Sequence, residues 1–188
     1  MIFFQKGNTK FGLLKKGDIG SDIWISKDEN EMLNKLKNET RRMEFTGVRQ
    51  LRNELMPNHP IVYSRSGKPM INKKGIHISI SHSNNSICIG ITNNPIGIDI
   101  EEINERIFKV HRKFTHQDES KLYPFDSMED LTILWTIKEC IYKLTDIKGL
   151  SFKDDIKVIK RNGNEHTCIV KSAEGEKQYL LEHEKINN

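Results

Sequence analysis

Three short segments in the middle of the chain alternate strictly between isoleucine and other residues. They are residues 76–81, 86–91 and 96–101, and Asn and Pro residues typical of turns separate them at 84–85 and 93–95. A period of two places the isoleucines on one face, so each segment predicts a half-buried β-strand. Together they predict an antiparallel meander whose isoleucine face covers a core. The opposite, polar face would carry His77, Ser79, Ser81, Asp99 and Glu101.

A basic amphipathic helix is predicted before these strands. Ser26 and Glu29 form a Ser-x-x-Glu capping box. Apolar residues at helical spacing continue to Leu55, and Pro57 follows just past the end. Gly47 is a candidate interruption. The other face of the helix is basic and carries Lys35, Lys37, Arg41, Arg42, Arg49 and Arg52.

The second half of the chain begins with helical patterns and ends with strands. Ser127 and Asp130 predict the cap of a helix that runs to about Thr145 and is closed by Gly149. A helix is also expected over 105–114, and Thr115 with Asp118 predicts a cap for a short one ending near Pro124. Short strands are expected around 157–160, 167–171 and 178–183. Strand and helix patterns therefore occur twice, which predicts an α+β fold of two similar lobes, residues 1–102 and 103–188.

Composition excludes several classes of protein. No apolar run reaches the roughly 18 residues of a membrane span, and the first residues lack the apolar core of a signal peptide, so we expect a cytoplasmic protein. The three cysteines, Cys88, Cys140 and Cys168, form no Cys-x-x-Cys motif and are typical of a reducing compartment. Lys and Arg outnumber Asp and Glu by 30 to 26, a net charge of +4. This mild charge suits an acidic partner and, without interleaved aromatic residues, does not favour nucleic acid.

Asp99 and Glu101 are candidate metal ligands. They lie two residues apart in a predicted strand, so both carboxylates leave the same face. Two adjacent carboxylates repel each other unless a cation lies between them, and hard oxygen ligands suit Mg²⁺, which also takes water and substrate phosphates. The alternative is a solvated polar face, which is common in alternating strands.

Two other groups are candidates for chemistry. Trp135, Glu139 and Lys143 form one stripe on the predicted long helix, although Glu139 and Lys143 also match an ordinary surface ion pair. Residues 81–83, Ser-His-Ser, end a predicted strand and would bind phosphate, catalyse or cap a turn. No serine-hydrolase triad, Walker loop or Gly-x-Gly-x-x-Gly motif is present.

Five motifs follow one another in a characteristic order. They are Gly67-Lys68-Pro69, Ile78-Ser-Ile-Ser-His-Ser83, Ile96-Gly-Ile-Asp-Ile-Glu101, Phe114-Thr-x-x-Asp118 and Trp135-Thr-Ile-Lys-Glu-Cys-Ile-Tyr-Lys143. With them, the chain resembles the 4'-phosphopantetheinyl transferases, specifically the surfactin-synthetase type built as a pseudo-dimer. The resemblance covers about residues 67–151 and implies two α+β lobes related by pseudo-twofold symmetry. A monomer is expected because one chain supplies both lobes.

The resemblance implies a reaction. The 4'-phosphopantetheine arm of coenzyme A would move to a serine of an apo acyl or peptidyl carrier protein, which is expected to be acidic, and adenosine 3',5'-bisphosphate would be released. Mg²⁺ would be held against the pyrophosphate by Asp99, Glu101 and Glu139, and Lys143 would reach a phosphate oxygen. The remaining implied coenzyme contacts are Lys68, Ser81 and His82, with Arg49 and Arg42 from the basic helix.

The resemblance leaves three candidates for the base that accepts the carrier serine proton. The family usually has glutamate where Asp118 stands, so Asp118, its neighbour Glu119 and Glu101 are all candidates. The loop after Lys143 also departs from the family, because only Gly149 of two usual glycines remains. Two alternatives stay open: a Mg²⁺-dependent hydrolase of nucleotide pyrophosphates, and a non-catalytic relative that binds carrier proteins.

Overall fold

The computed structural model describes residues 1–186 and divides the chain into two compact units. Unit 1 is Met1–Ile100 and unit 2 is Glu101–Asn188. Both units combine helices with antiparallel sheets, so the α+β class predicted from the sequence is confirmed. The pseudo-twofold relation between the units stays a prediction. Within residues 1–186, none of the helices has the length and apolarity that crossing a bilayer requires.

Unit 1 contains a four-stranded antiparallel sheet and a two-stranded ribbon. The sheet has the order β1-β2-β6-β5, and the ribbon pairs β3 with β4. The strands are β1 (Ile2–Lys6), β2 (Thr9–Lys15), β3 (Ile61–Tyr63), β4 (Pro69–Ile71), β5 (His77–His82) and β6 (Ser86–Thr92). Two of the three predicted isoleucine strands, β5 and β6, are therefore confirmed. Their isoleucines, with Ile78, Ile87 and Ile89 at 2% exposure or less, line the main core of unit 1.

The predicted basic helix is two helices, α1 (Lys27–Lys35) and α2 (Glu39–Leu55). The capping box is confirmed, because Ser26 Oγ accepts the Glu29 amide while Glu29 Oε2 accepts the Ser26 amide. The prediction of one continuous helix is wrong. Asn38 adopts an extended backbone and its side chain accepts the Arg41 amide at 3.0 Å, so α2 has an N-cap of its own.

Gly47 lies inside α2 and does not interrupt it. A Cβ atom at this position would lie 2.4 Å from Ile87 Cδ1 and 3.3 Å from Leu14 Cδ2. The glycine therefore lets the helix approach the sheet closely. Helix α2 packs against the isoleucine face of the sheet through residues such as Val48 and Leu51.

The third isoleucine segment, residues 96–101, is not a strand. It runs beside β5, but the amides of Ile98 and Ile100 donate to the hydroxyls of Ser79 and Ser81, at 3.0 and 3.2 Å. Backbone ladder bonds are replaced here by bonds to side chains, so the extended chain is not paired as a strand. Both serines are 4% exposed, so the predicted polar face is covered rather than solvated at these two positions.

Unit 2 places one long helix, α4 (Met128–Thr145), on a three-stranded antiparallel sheet. Its other elements are α3 (Ile107–Val110), short 3₁₀ turns at His111–Lys113 and Gln117–Lys121, and strands β7 (Ile156–Asn162), β8 (Glu165–Ser172) and β9 (Gly175–Glu182). The predicted Ser127 cap of α4 is confirmed, since its hydroxyl accepts the Asp130 amide at 3.1 Å. The helix is closed by Asp146 in the left-handed region rather than by Gly149.

The predicted short helix after Phe114 is also capped differently. The capping residue of the turn Gln117–Lys121 is His116, not Thr115. Its Nδ1 atom accepts the Asp118 amide at 3.2 Å, and its own amide donates to Glu119 Oε2 at 2.8 Å. His116 Nδ1 therefore caps this turn in place of the Thr115 hydroxyl.

A chain of hydrogen bonds runs through the core of unit 2 from Tyr123 to the end of β9. Tyr123 Oη lies 2.5 Å from His166 Nδ1, and His166 Nε2 lies 2.8 Å from His183 Nδ1. His166 is only 1% exposed. Burial, with His183 and Arg161 nearby, lowers the pKa of His166 to about 4. The neutral imidazole is therefore the form that the fold requires.

This burial makes a prediction for stability at acid pH. An unfolded chain protonates His166 below about pH 6.5, whereas the folded protein does so only near pH 4. Stability from His166 is thus present above pH 6.5 and lost as the pH falls toward 4, by about 3 kcal/mol in total. Urea unfolding at several pH values should show this loss in the wild type and a shallower one in His166→Gln. His59→Gln, outside the network, is the control, and equal slopes in all three proteins would contradict the prediction.

Candidate active site

Asp99 lies on the segment that covers β5. Ser81 Oγ donates to Asp99 Oδ1 at 2.7 Å and accepts the Ile100 amide at 3.2 Å. Ser81 is 4% exposed, so its hydroxyl is fixed between the backbone of the segment and the carboxylate. Ser81 therefore orients Asp99, and its contact with a coenzyme phosphate stays a prediction.

Glu101 begins unit 2 and accepts a hydrogen bond from α4. The indole Nε1–H of Trp135 donates to Glu101 Oε1 at 3.1 Å. The Trp135 ring contacts two aromatic rings, Phe114 at 5.0 Å and Phe152 at 5.3 Å between centroids. Glu101 is thus held over the face of α4 that carries Trp135.

The predicted stripe on α4 is confirmed as a helix face. Trp135, Glu139 and Lys143 lie four residues apart within Met128–Thr145, so they follow one another along one side of the helix. All three are partly buried. Lys143 lies in the last turn, where the helix dipole favours a positive charge. Glu139 therefore lies one turn after Trp135, the residue whose indole donates to Glu101.

The donor chemistry of the implied ligands suits Mg²⁺. Among residues 1–186, no three acidic, histidine or cysteine side chains converge into a preformed metal site. Mg²⁺ is usually bound by one or two carboxylates together with water and substrate phosphates, so a closed protein cage is not required. Asp99, Glu101 and Glu139 supply oxygens of this kind, and their assignment as ligands stays a prediction.

The two acidic neighbours Asp118 and Glu119 have opposite environments. The side chain of Asp118 is 78% exposed and lies 3.2 Å from His116 Nδ1. Glu119 is fully buried, and its oxygens accept the Val158 amide at 2.9 Å and the Lys138 ammonium at 2.8 Å. Of the two, only Asp118 is accessible to a protein substrate, so the structure favours Asp118 over Glu119 as a base.

Lys138, which the sequence analysis missed, is the partner of Glu119. Its ammonium group is fully buried and donates to three acceptors: Glu119 Oε2 at 2.8 Å and the carbonyls of Phe114 and Phe152, both at 2.7 Å. Burial lowers the pKa of Lys138, and the Glu119 carboxylate opposes this. An apolar-facing lysine three residues after Trp135 is the sequence signal that would have found it. The pair ties α4 to the segment that carries Asp118.

The arginines expected to bind coenzyme A are engaged inside unit 1. Arg49 is 1% exposed and donates to Glu29 Oε1 at 3.1 Å, while Arg52 donates to Glu29 Oε2 at 3.3 Å. Burial raises the pKa of Glu29, but the Ile61 and Ser26 amides and the two guanidinium groups outweigh it, so that the pKa is lowered. These contacts favour a structural role for Arg49, and its role as a coenzyme contact stays a prediction.

Arg42 also has structural partners. Its Nη1 donates to the carbonyls of Leu33 and Leu36, at 2.6 and 3.4 Å, at the end of α1. Lys68 lies between β3 and β4, where its amide donates to Ser64 Oγ at 3.1 Å. Arg42 therefore closes α1, and Lys68 remains a candidate for coenzyme binding.

His82 belongs to a cluster of basic groups around Glu44. His82 Nδ1 lies 3.3 Å from Glu44 Oε1, Lys16 Nζ lies 2.9 Å from it, and Arg41 Nη1 lies 3.3 Å from Glu44 Oε2. Glu44 is 11% exposed, whereas His82 is 36% and Arg41 is 64% exposed at the side chain. Two full positive charges beside one carboxylate leave an excess of positive charge at a solvent-facing position, which suits a phosphate.

Comparisons with known proteins agree with this chemistry. A family model of the 4'-phosphopantetheinyl transferase superfamily matches residues 95–188, half of the chain. The chain belongs to this superfamily.

Three curated relatives are named 4'-phosphopantetheinyl transferases. The chain is 37% identical over 95 residues to gsp of Aneurinibacillus migulanus, covering 47% of this chain and 39% of the relative. It is 26% identical over 143 residues to psf-1 of Bacillus pumilus, covering 67% and 61%. It is 28% identical over 131 residues to an enzyme of Bacillus subtilis, covering 61% and 58%. The matches thus span 39% to 61% of the length of these relatives.

The buried ammonium group makes a stability prediction. Lys138→Met leaves Glu119 buried without its counterion, so we expect the free energy of unfolding to fall by about 3–5 kcal/mol. Lys157→Met is the matched control, because Lys157 lies 3.8 Å from the largely exposed Asp118 and such surface pairs contribute about 1 kcal/mol or less. Urea unfolding of both variants measures the difference. A loss below 1 kcal/mol in Lys138→Met would show that the pair is not a structural requirement.

Proposed function

We propose that this protein transfers the 4'-phosphopantetheine arm of coenzyme A to a serine of an apo acyl or peptidyl carrier protein and releases adenosine 3',5'-bisphosphate. The observation that carries the proposal is the face of α4 on which Trp135, Glu139 and Lys143 lie in line, with Glu101 bonded to the indole. This face presents carboxylates and a lysine side by side, as a phosphate-bound metal requires. Superfamily membership supports the same reaction.

In this proposal the carboxylates and the lysine share the electrostatic work. Asp99, Glu101 and Glu139 hold Mg²⁺, which, when bound, polarises the phosphorus and neutralises charge on the leaving phosphate. Ser81 keeps the Asp99 carboxylate oriented through its 2.7 Å hydrogen bond. Lys143, one turn after Glu139, binds a phosphate oxygen of the coenzyme as a point charge.

The coenzyme phosphates are also bound by basic groups of unit 1. His82 contributes through the excess positive charge that it shares with Lys16 and Arg41 around Glu44. Lys68 is a second contact, from the ribbon of β3 and β4. Because Arg42 and Arg49 are less exposed than Arg41, we give Arg41 the larger share of the phosphate binding.

Asp118 is the preferred base for the carrier serine. Its carboxylate is exposed. It lies on a turn that the buried ion pair between Glu119 and Lys138 holds against α4. Glu101 is the remaining alternative. The carrier docks through an acidic surface, which the positive net charge of +4 favours.

Intact-protein mass spectrometry tests the reaction directly. An apo carrier protein incubated with this protein, coenzyme A and Mg²⁺ should gain the mass of one phosphopantetheine arm, and EDTA should prevent the gain. Coenzyme A cleaved without modification of the carrier would indicate a pyrophosphate hydrolase. Carrier binding without any reaction would indicate a non-catalytic relative.

Asp99→Asn tests the metal assignment. The amide still accepts the Ser81 hydroxyl but loses the negative charge, so we expect the fold to persist and the rate of transfer to fall by about 100-fold or more. Asp22→Asn, an exposed change elsewhere in unit 1, should retain the wild-type rate. Unchanged transfer by Asp99→Asn across a Mg²⁺ titration would exclude Asp99 as a ligand.

Asp118→Asn and Glu119→Gln, measured side by side, identify the base. Asp118→Asn should lower kcat by about 10²–10⁴-fold, the usual contribution of general acid–base catalysis, and leave the urea midpoint unchanged. Glu119→Gln should lower the urea midpoint, because it removes the counterion of buried Lys138. Full activity in Asp118→Asn would transfer the role to Glu101 or to water.

A further inference from the structure

The contact between Trp135 and Glu101 joins a rigid ring to an exposed carboxylate. Glu101 is exposed, so without a hydrogen-bond partner its side chain would be free to adopt several rotamers. The indole N–H lies 3.1 Å from Oε1 and fixes one of these rotamers. Nothing in the fold of unit 2 requires this bond, because the ring is already packed by its aromatic neighbours.

The Trp135 ring is held in place by packing contacts that do not involve Glu101. Its ring contacts Phe114 and Phe152, and the carbonyls of these same two residues accept hydrogen bonds from Lys138, one turn further along α4. The ring and the ammonium group thus hold the same two segments from neighbouring positions of one helix. The N–H therefore points in a fixed direction, independently of Glu101.

A neutral donor is suited to orienting a metal ligand. A lysine or arginine at this place would neutralise the carboxylate and compete with a cation for it. The indole N–H is a donor only and carries no charge, so it restrains Glu101 while leaving its negative charge intact. Neighbouring groups of this kind orient ligands in metal sites, and their loss typically costs about 10–100-fold in metal affinity or activity.

We propose that Trp135 is a positioning residue that aims the Glu101 carboxylate at the divalent cation through its indole N–H. The proposal rests on the proposed function in so far as Glu101 is a metal ligand. It assigns to Trp135 two separable tasks: the ring packs the core of unit 2, and the nitrogen orients Glu101. Trp135→Phe removes only the second.

The hydrogen bond can be observed without any assay of the reaction. The chain has two tryptophans, so a ¹H–¹⁵N spectrum contains two indole resonances, which Trp24→Phe and Trp135→Phe assign. Glu101→Ala should move the Trp135 resonance and leave that of Trp24 in place. Titration with Mg²⁺ in the presence of coenzyme A should also move the Trp135 resonance selectively. An unmoved Trp135 resonance in Glu101→Ala would overturn the proposal.

Metal affinity tests the consequence of the bond. Free Mn²⁺, counted by electron paramagnetic resonance, should show that Trp135→Phe binds the ion about tenfold more weakly than the wild type does. Trp24→Phe is the matched control, with the same change at an exposed ring, and should bind Mn²⁺ as the wild type does. Similar urea midpoints for Trp135→Phe and Trp24→Phe would show that phenylalanine retains the packing of the Trp135 ring.

The outcomes separate this inference from the reaction. Equal Mn²⁺ affinity in the two tryptophan variants, or no Mn²⁺ binding by the wild type, would overturn the positioning role. A tenfold loss in Trp135→Phe together with no mass gain on the carrier would uphold the positioning role while the transferase proposal fails.

Discussion

The structure of unit 2 depends on how one buried ammonium group is satisfied. Lys138 has three protons, and each has an acceptor: two backbone carbonyls and the Glu119 carboxylate. A buried lysine with fewer partners would cost several kcal/mol, so this geometry leaves α4 little freedom to rotate or slide. Because Trp135 and Glu139 lie within one turn of Lys138, the face that they share is fixed by the same bonds. The buried ion pair thus determines the direction in which the candidate site faces.

Unit 1 also contains a buried ion-pair network, but here the central group is a carboxylate and its partners are positively charged. Here one buried carboxylate, Glu29 of α1, accepts hydrogen bonds from Arg49 and Arg52 of α2 and from the Ile61 amide of β3. Three elements are joined at a single side chain, and the excess positive charge is spread over aromatic faces, with Arg49 3.4 Å from the Phe45 ring centroid. The basic face of the helix is therefore not one surface. The buried Arg49 and Arg52 stabilise the fold, whereas Arg41 is exposed to solvent.

Sequence patterns predicted the features that local chemistry determines. The caps at Ser26 and Ser127, the strands β5 and β6 and the whole of α4 follow from hydrogen bonds or periodicity within a few residues. The segment 96–101 was misjudged because a period of two reports an extended, half-buried chain and not the partner of its amides. Lys138 was missed, and Glu119 was named as a candidate base, for a related reason: charged residues are normally exposed, and only the three-dimensional structure brings residues 119 and 138 together.

The division of the arginines has a consequence for phosphate binding. With Arg42, Arg49 and Arg52 bonded to inner protein oxygens, Arg41 is the basic group of α2 that faces solvent, and it lies beside Glu44 with Lys16. Glu44 is nearly buried and holds Lys16 and Arg41 in place, which lowers the entropy lost when an anion is bound. The cluster keeps a positive excess, because Lys16 and Arg41 share one carboxylate. A phosphate at this position would thus meet groups that the protein has already ordered, rather than flexible side chains that must be immobilised at the moment of binding.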